Sequence, residues 1–120
     1  MKELALKYYN DGFGCGQCII KAADEKYSLG LTDELVKSLS AAGNGFGYGG
    51  LCAAAAAVIL LFGYMFEENK AKRLRLSFLE EFRRKYCSFN CCSIAGDCEK
   101  LIAFAAGTAD RLISKELQSC

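Results

Sequence analysis

Gly43-Asn44-Gly45-Phe46-Gly47-Tyr48-Gly49-Gly50-Leu51-Cys52-Ala53-Ala54-Ala55-Ala56-Ala57-Val58-Ile59-Leu60-Leu61-Phe62 is the stretch whose reading decides the fold. Its first half frees the backbone, because glycine takes positive φ at little cost. Its second half strings together five alanines, the best helix former. The helix that follows is apolar on every side, so it is expected to be a buried central helix. Cys52 stands where loop becomes helix. There the unpaired N–H groups and the positive end of the helix dipole favour thiolate. If the apoprotein site is open to solvent, Cys52 is expected to have a lowered pKa.

The segments on either side also read as helices. Leu4, Lys7 and Tyr8 fit a helical face before the break at Asp11-Gly12-Phe13-Gly14, although a strand reading of that first segment competes. Cys15–Tyr27 forms the next helix, with Cys15, Cys18, Ile19 and Ala22 spaced by three and four. Thr32 is suited to be an N-cap, and the helix it opens is expected to run on to Gly43. Residues 70–86 form a long amphipathic helix with an apolar set of Leu74, Leu76, Phe78, Leu79 and Phe82. Residues 87–96 have no period and read as a loop. Asp97 can cap a last helix over residues 98–117, which buries Leu101, Ile102, Ala105, Ala109, Leu112 and Ile113. Gly107 within it suggests close packing. No segment reads as a strand-and-turn repeat. The expectation is one all-α domain over residues 1–120, a bundle of five or six helices.

Composition narrows the function. The 120 residues contain 52% apolar side chains, enough to build a core, and carry a net charge of +1 without a long basic block. Nucleic acid is a weak partner on that count. The apolar run over residues 51–66 spans about 24 Å as a helix, short of a ~30 Å hydrocarbon core, so membrane insertion is not expected. Histidine is absent. That removes imidazole metal ligands, Ser-His-Asp and Cys-His catalysis, and c-type haem attachment. The glycine loop contains Gly45-x-Gly47-x-x-Gly50, but a helix precedes it where a dinucleotide site needs a strand, and the P-loop Lys-Ser/Thr is missing.

The eight cysteines are the unusual feature: Cys15, Cys18, Cys52, Cys87, Cys91, Cys92, Cys98 and Cys120. Met1 to Lys7 has no apolar signal core, which points to a cytoplasmic, reducing setting and to metal, cluster or redox chemistry. Cys15, Cys52 and Cys98 share one local setting, each in a first helical turn after a glycine-containing break. Cys91 lies in the loop leading to Cys98. Buried structural cysteines are common, but three placed alike favour function.

At these residues the chain resembles the C_GCAxxG_C_C family of redox proteins, small helical proteins with four characteristic cysteines. Cys15-Gly16-Gln17 is similar to the family's first cysteine motif. Residues 43–61 are similar to its glycine-rich stretch, cysteine and alanine-rich helix. Residues 91–96 and the helix start at Cys98 match its last two cysteines. The motif at the second cysteine, taken as Cys-Gly-Ala-x-x-Gly, reads here Cys52-Ala53-Ala54-Ala55-Ala56-Ala57, with alanine for both glycines. The resemblance implies a site made of Cys15, Cys52, Cys91 and Cys98, gathered at one end of the bundle.

Two chemistries fit these thiols. In the first, the four ligate an iron–sulfur cluster for electron transfer, steadied by helix N-termini. In the second, they form a metal-free thiol/disulfide couple, with Cys15-Gly16-Gln17-Cys18 as the attacking pair by spacing. A structural zinc site made of four cysteines comes third, since the paired Cys-x-x-Cys knuckles are not both present. A helical interaction module with inert cysteines is the remaining reading. A redox chemistry implies a redox partner protein, and the apolar helices leave room for a homodimer.

Overall fold

A computed structural model describes residues 1–43, 45–90 and 98–118. The described residues form six α-helices and no β-strand: α1 (Lys2–Asn10), α2 (Cys15–Tyr27), α3 (Asp33–Ser38), α4 (Ala53–Met65), α5 (Glu68–Tyr86) and α6 (Cys98–Gln118). The all-α bundle expected from the sequence is the fold observed. No helix among the described residues is long and apolar enough to cross a membrane.

The helix starts follow local chemistry. Thr32 caps α3, its side chain accepting the Leu35 N–H at 3.3 Å. Glu67 caps α5 by accepting from Asn69 N and Lys70 N at 3.0 and 2.7 Å. These bonds satisfy donors that the first helical turn leaves without a partner. Gly14 opens α2, and its N–H donates to the Gln17 side chain at 2.9 Å. The glycine loop uses its freedom as expected: Gly45, Gly47 and Gly49 have φ of 62°, 86° and 72°. Phe46 is also left-handed, at φ 60°.

Long-range polar contacts fix the helix directions. Near one end, Asp110 of α6 takes Lys26 Nζ at 2.6 Å and the Met1 ammonium at 3.2 Å, and also accepts from Tyr27. Near the same end, Glu116 of α6 pairs with Lys70 at 3.3 Å and Arg73 at 3.8 Å from the start of α5. The end of α2 and the latter part of α6 therefore lie together with the starts of α1 and α5. It follows that α2 and α6 run parallel, while α1 and α5 run against them. α4, joined to α5 by a short turn, runs with α2 and α6. The N-termini of α2, α4 and α6 consequently face the same end, beside the C-terminus of α5.

The core is built from small residues of α4 and large ones of its neighbours. Ala54, Ala55, Ala57 and Val58 are fully buried, as are Ile19, Ile102 and Ile113. An aromatic ladder starts at Phe62 and Phe78, 6.2 Å apart, and steps to Phe82 at 5.8 Å. Phe82 then meets Phe104 at 6.3 Å and Phe89 at 5.9 Å. Such ring pairs add to area burial.

Four expectations are corrected. α3 stops at Ser38, with only turns to Ala42, because Leu39 N and Ser40 N bond three residues back, to Val36 and Lys37. α4 is not buried all round: Leu60 is 56% exposed and Tyr64 58%. Three neighbouring helices pack against α4, and one apolar stripe is left over. Leu76 is 60% exposed because it lies off the Leu74–Phe78–Phe82 face of α5. Gly107 marks no close crossing, since a Cβ there would meet nothing within 4 Å.

Candidate functional site

The close helix crossing occurs at the cysteine end, through Gly16. A Cβ on Gly16 would stand 3.2 Å from the Ala53 carbonyl oxygen and 3.5 Å from the Ala53 Cβ. Gly16 follows Cys15 and Ala53 follows Cys52, so this crossing brings the two cysteine-bearing helix starts together. A glycine inside an otherwise helical pattern was the available signal for it. Gln17 adds a second tie. Besides accepting the Gly14 N–H, it donates from Nε2 to the Val36 carbonyl at 3.1 Å, fastening α3 to the start of α2.

Cys52 is the N-cap of α4. Its N–H donates to the Phe89 carbonyl at 2.8 Å, and Leu51 and Asn90 form an antiparallel bridge beside it. The chain leaving α5 thus folds back over the glycine loop and pins the start of α4. Cys52 is only 2% exposed, so the solvent-open site assumed for a lowered pKa is not what the fold provides.

Cys15 is half-buried in the first turn of α2, and Cys98 is exposed at the start of α6. Burial pushes the Cys15 thiol up. The charges of Cys52 and, more weakly, Cys98 push it further, while N–H groups of Gly16 and Cys15 itself work the other way. The helix terminus therefore does act on Cys15, but burial and neighbouring sulfur outweigh it. The same coupling shows that the three sulfurs share one electrostatic neighbourhood.

Cys18 belongs to a different environment. It is fully buried, and its Sγ–H donates to the Phe13 carbonyl at 3.5 Å. Burial pushes its pKa up to about 12, with Cys15 adding to the rise. The Cys15–Cys18 spacing is that of an attacking pair, but this burial does not suit Cys18 to attack. Cys87 is exposed and ends α5 with a left-handed φ of 61°. Cys91, Cys92, Cys120 and the proposed cap Asp97 lie outside the described residues. Among the described residues no group of three or more cysteines and carboxylates is placed to hold one metal ion.

No curated protein and no solved structure matches the chain. The family profile named Putative redox-active protein (C_GCAxxG_C_C) matches residues 13–112. As that name spells it, the motif is Gly-Cys-Ala-x-x-Gly, with one glycine before the cysteine. The departures therefore fall at Leu51 and Ala56, not at Ala53, which keeps the family's alanine. Leu51 is exposed and Ala56 half-buried, so neither added side chain has to enter the packed interior. With five-sixths of its length matched, the chain belongs to the redox-active C_GCAxxG_C_C family.

Proposed function

We propose that this protein is an electron carrier in which Cys15, Cys52, Cys91 and Cys98 hold an iron–sulfur cluster. The observation that carries the reading is the convergence of three parallel helix starts, where the charges of Cys52 and Cys98 oppose ionisation of Cys15. Thiolates that repel one another gain from a cationic centre placed among them. The donor set is all sulfur in a chain without histidine, which suits iron–sulfur ligation. Ligands of a cluster bind different irons, so they need not converge as tightly as the donors of one zinc ion. When bound, the cluster supplies reversible one-electron chemistry.

The chain's own residues prepare that site. The N–H groups of Cys15 and Gly16, in the first turn of α2, favour the Cys15 anion. Buried Cys52 keeps one side dry, and exposed Cys98 leaves an edge toward solvent. Gly16 sets the spacing between α2 and α4, and the Phe89 carbonyl holds the start of α4 to the segment that leaves α5. A second reading is a metal-free dithiol couple of Cys15 with Cys52, supported by the Gly16–Ala53 crossing that brings their helix starts together.

Anaerobic reconstitution with iron and sulfide separates the two. The cluster reading expects visible absorption with iron and acid-labile sulfide, mostly lost in Cys98→Ser and kept in Cys18→Ser. A colourless, iron-free protein that cycles through a Cys15–Cys52 disulfide would establish the second reading instead.

A further inference from the structure

Beside the cysteine end, α5 carries a basic cleft. α5 holds seven lysines and arginines against three glutamates, whereas the whole chain has a net charge of only +1. The rest of the molecule is therefore slightly acidic, and the positive charge is concentrated on this helix. Some of it is neutralised: Lys72 pairs with Glu68, and Arg73 with Glu116. Among the described residues no ion pair neutralises Arg75, Arg83, Arg84 or Lys85, all of them exposed.

Arg83 and Arg84 line an open cleft of about 430 Å3 together with Leu76, Leu79, Glu80 and Phe89. Leu76, the apolar residue that the packing of α5 leaves outside, gives the cleft an apolar wall. Phe89 also lines it, and the Phe89 carbonyl holds the Cys52 N–H at 2.8 Å. The cleft is thus one residue's width from the buried cysteine of the proposed redox site.

We infer that this cleft is the docking surface for an acidic redox-partner protein, whose carboxylates meet Arg83 and Arg84 and whose apolar side chain rests on Leu76. The inference rests on the redox reading of the cysteine end and adds the kind of partner it serves. Charge complementarity picks the occupant: unpaired guanidiniums attract carboxylates and steer encounter. An exposed leucine flanked by arginines matches an anchor within a polar rim.

The test uses the full chain, 15N-labelled, titrated with an acidic plant-type ferredoxin as probe. Amide signals of residues 76–89 are expected to shift, and binding to weaken as salt rises from about 20 to about 200 mM. Arg83→Glu with Arg84→Glu is expected to weaken binding by about tenfold or more. Lys2→Glu with Lys37→Glu, an equal change in net charge on other helices, is expected to stay within about twofold of the native chain. Equal losses in the two double variants, shifts centred on residues 31–39 and 60–64, tighter binding of a DNA duplex than of ferredoxin, or no binding at all would each overturn the assignment. Circular dichroism checks that both variants fold, and the salt series on the native chain needs no variant. The binding readout does not require iron. A chain that docks but never holds a cluster retains this surface and loses the site reading, while an iron-loaded chain that fails to dock does the reverse.

Discussion

Burial separates Cys15 from Cys18 although one helical turn joins them. With its pKa at about 12, Cys18 holds a thiolate fraction at pH 8 more than about a thousandfold below that of a free thiol. Of the described cysteines, iodoacetamide at that pH is therefore expected to modify Cys87 and Cys98 first, and Cys18 only as the chain unfolds. Peptide mass spectrometry over time measures the order, and early labelling of Cys18 would contradict the burial argument. Gly16 supplies the second prediction at this scale. A valine there adds a Cβ and two methyl groups at the Ala53 contact and is expected to cost about 1–3 kcal/mol in urea unfolding. Gly16→Ala is expected to cost less, because its higher helix propensity offsets about 1 kcal/mol of the crowding. A Gly16→Val protein as stable as the native chain would remove the close α2–α4 crossing from the account.

At the scale of the element, α5 shows how a helix divides its apolar residues. Leu74, Phe78 and Phe82 recur every four residues and are buried, while Leu76 falls between them and faces solvent. Phe82 touches the rings of Phe78, Tyr86, Phe89 and Phe104, so it joins α5, α6 and the segment that pins Cys52. Phe82→Ala is expected to destabilise by about 3–5 kcal/mol and to loosen the cysteine end. Leu76→Ala is expected to change stability by no more than about 0.5 kcal/mol. Chemical denaturation of both variants checks the pair, and similar costs would show that the face is drawn wrongly. α4 follows the same logic: its uniform apolarity left its orientation open, and only its neighbours determine that Leu60 and Tyr64 face outward.

For the whole molecule, Asp110 gathers three elements onto one carboxylate. Burial works to raise its pKa, but hydrogen bonds from Lys26, Tyr27 and the Met1 ammonium overcome this and hold it down to about 2. A carboxylate with a depressed folded pKa contributes stability above its ordinary pKa and loses it as pH falls toward the depressed value. The contribution is therefore expected to be complete above about pH 4 and to vanish progressively toward pH 2, at about 1–2 kcal/mol after solvent screening. Asp110→Asn should remove that part of the acid dependence while leaving the cysteine end, at the other end of α2 and α6, chemically unchanged. Urea unfolding of both proteins from pH 2 to pH 6 measures it, and parallel stability curves would show that the network contributes nothing.

Helical periodicity and capping chemistry are local, so the sequence by itself determined most helix identities and starts. Cys15–Tyr27 is found with the bounds its spacing predicts, Thr32 caps as its type suggests, and the six apolar positions named on α6 are all buried. The cysteine pattern with the glycine loop was likewise enough to place the chain in its family. Helix ends were less legible: α3 ends early because local three-residue bonds take over from its helical ladder, which no side-chain pattern announced. Only the tertiary structure decided which way each helix runs, and hence that Cys15, Cys52 and Cys98 share an end across 83 residues of sequence. It alone made Gly16 rather than Gly107 the close crossing, and it buried Cys52 and Cys18 where spacing had suggested reactive thiols. The physical reason is common to these cases: contact and desolvation depend on what the other helices bring, and a one-dimensional pattern does not contain that.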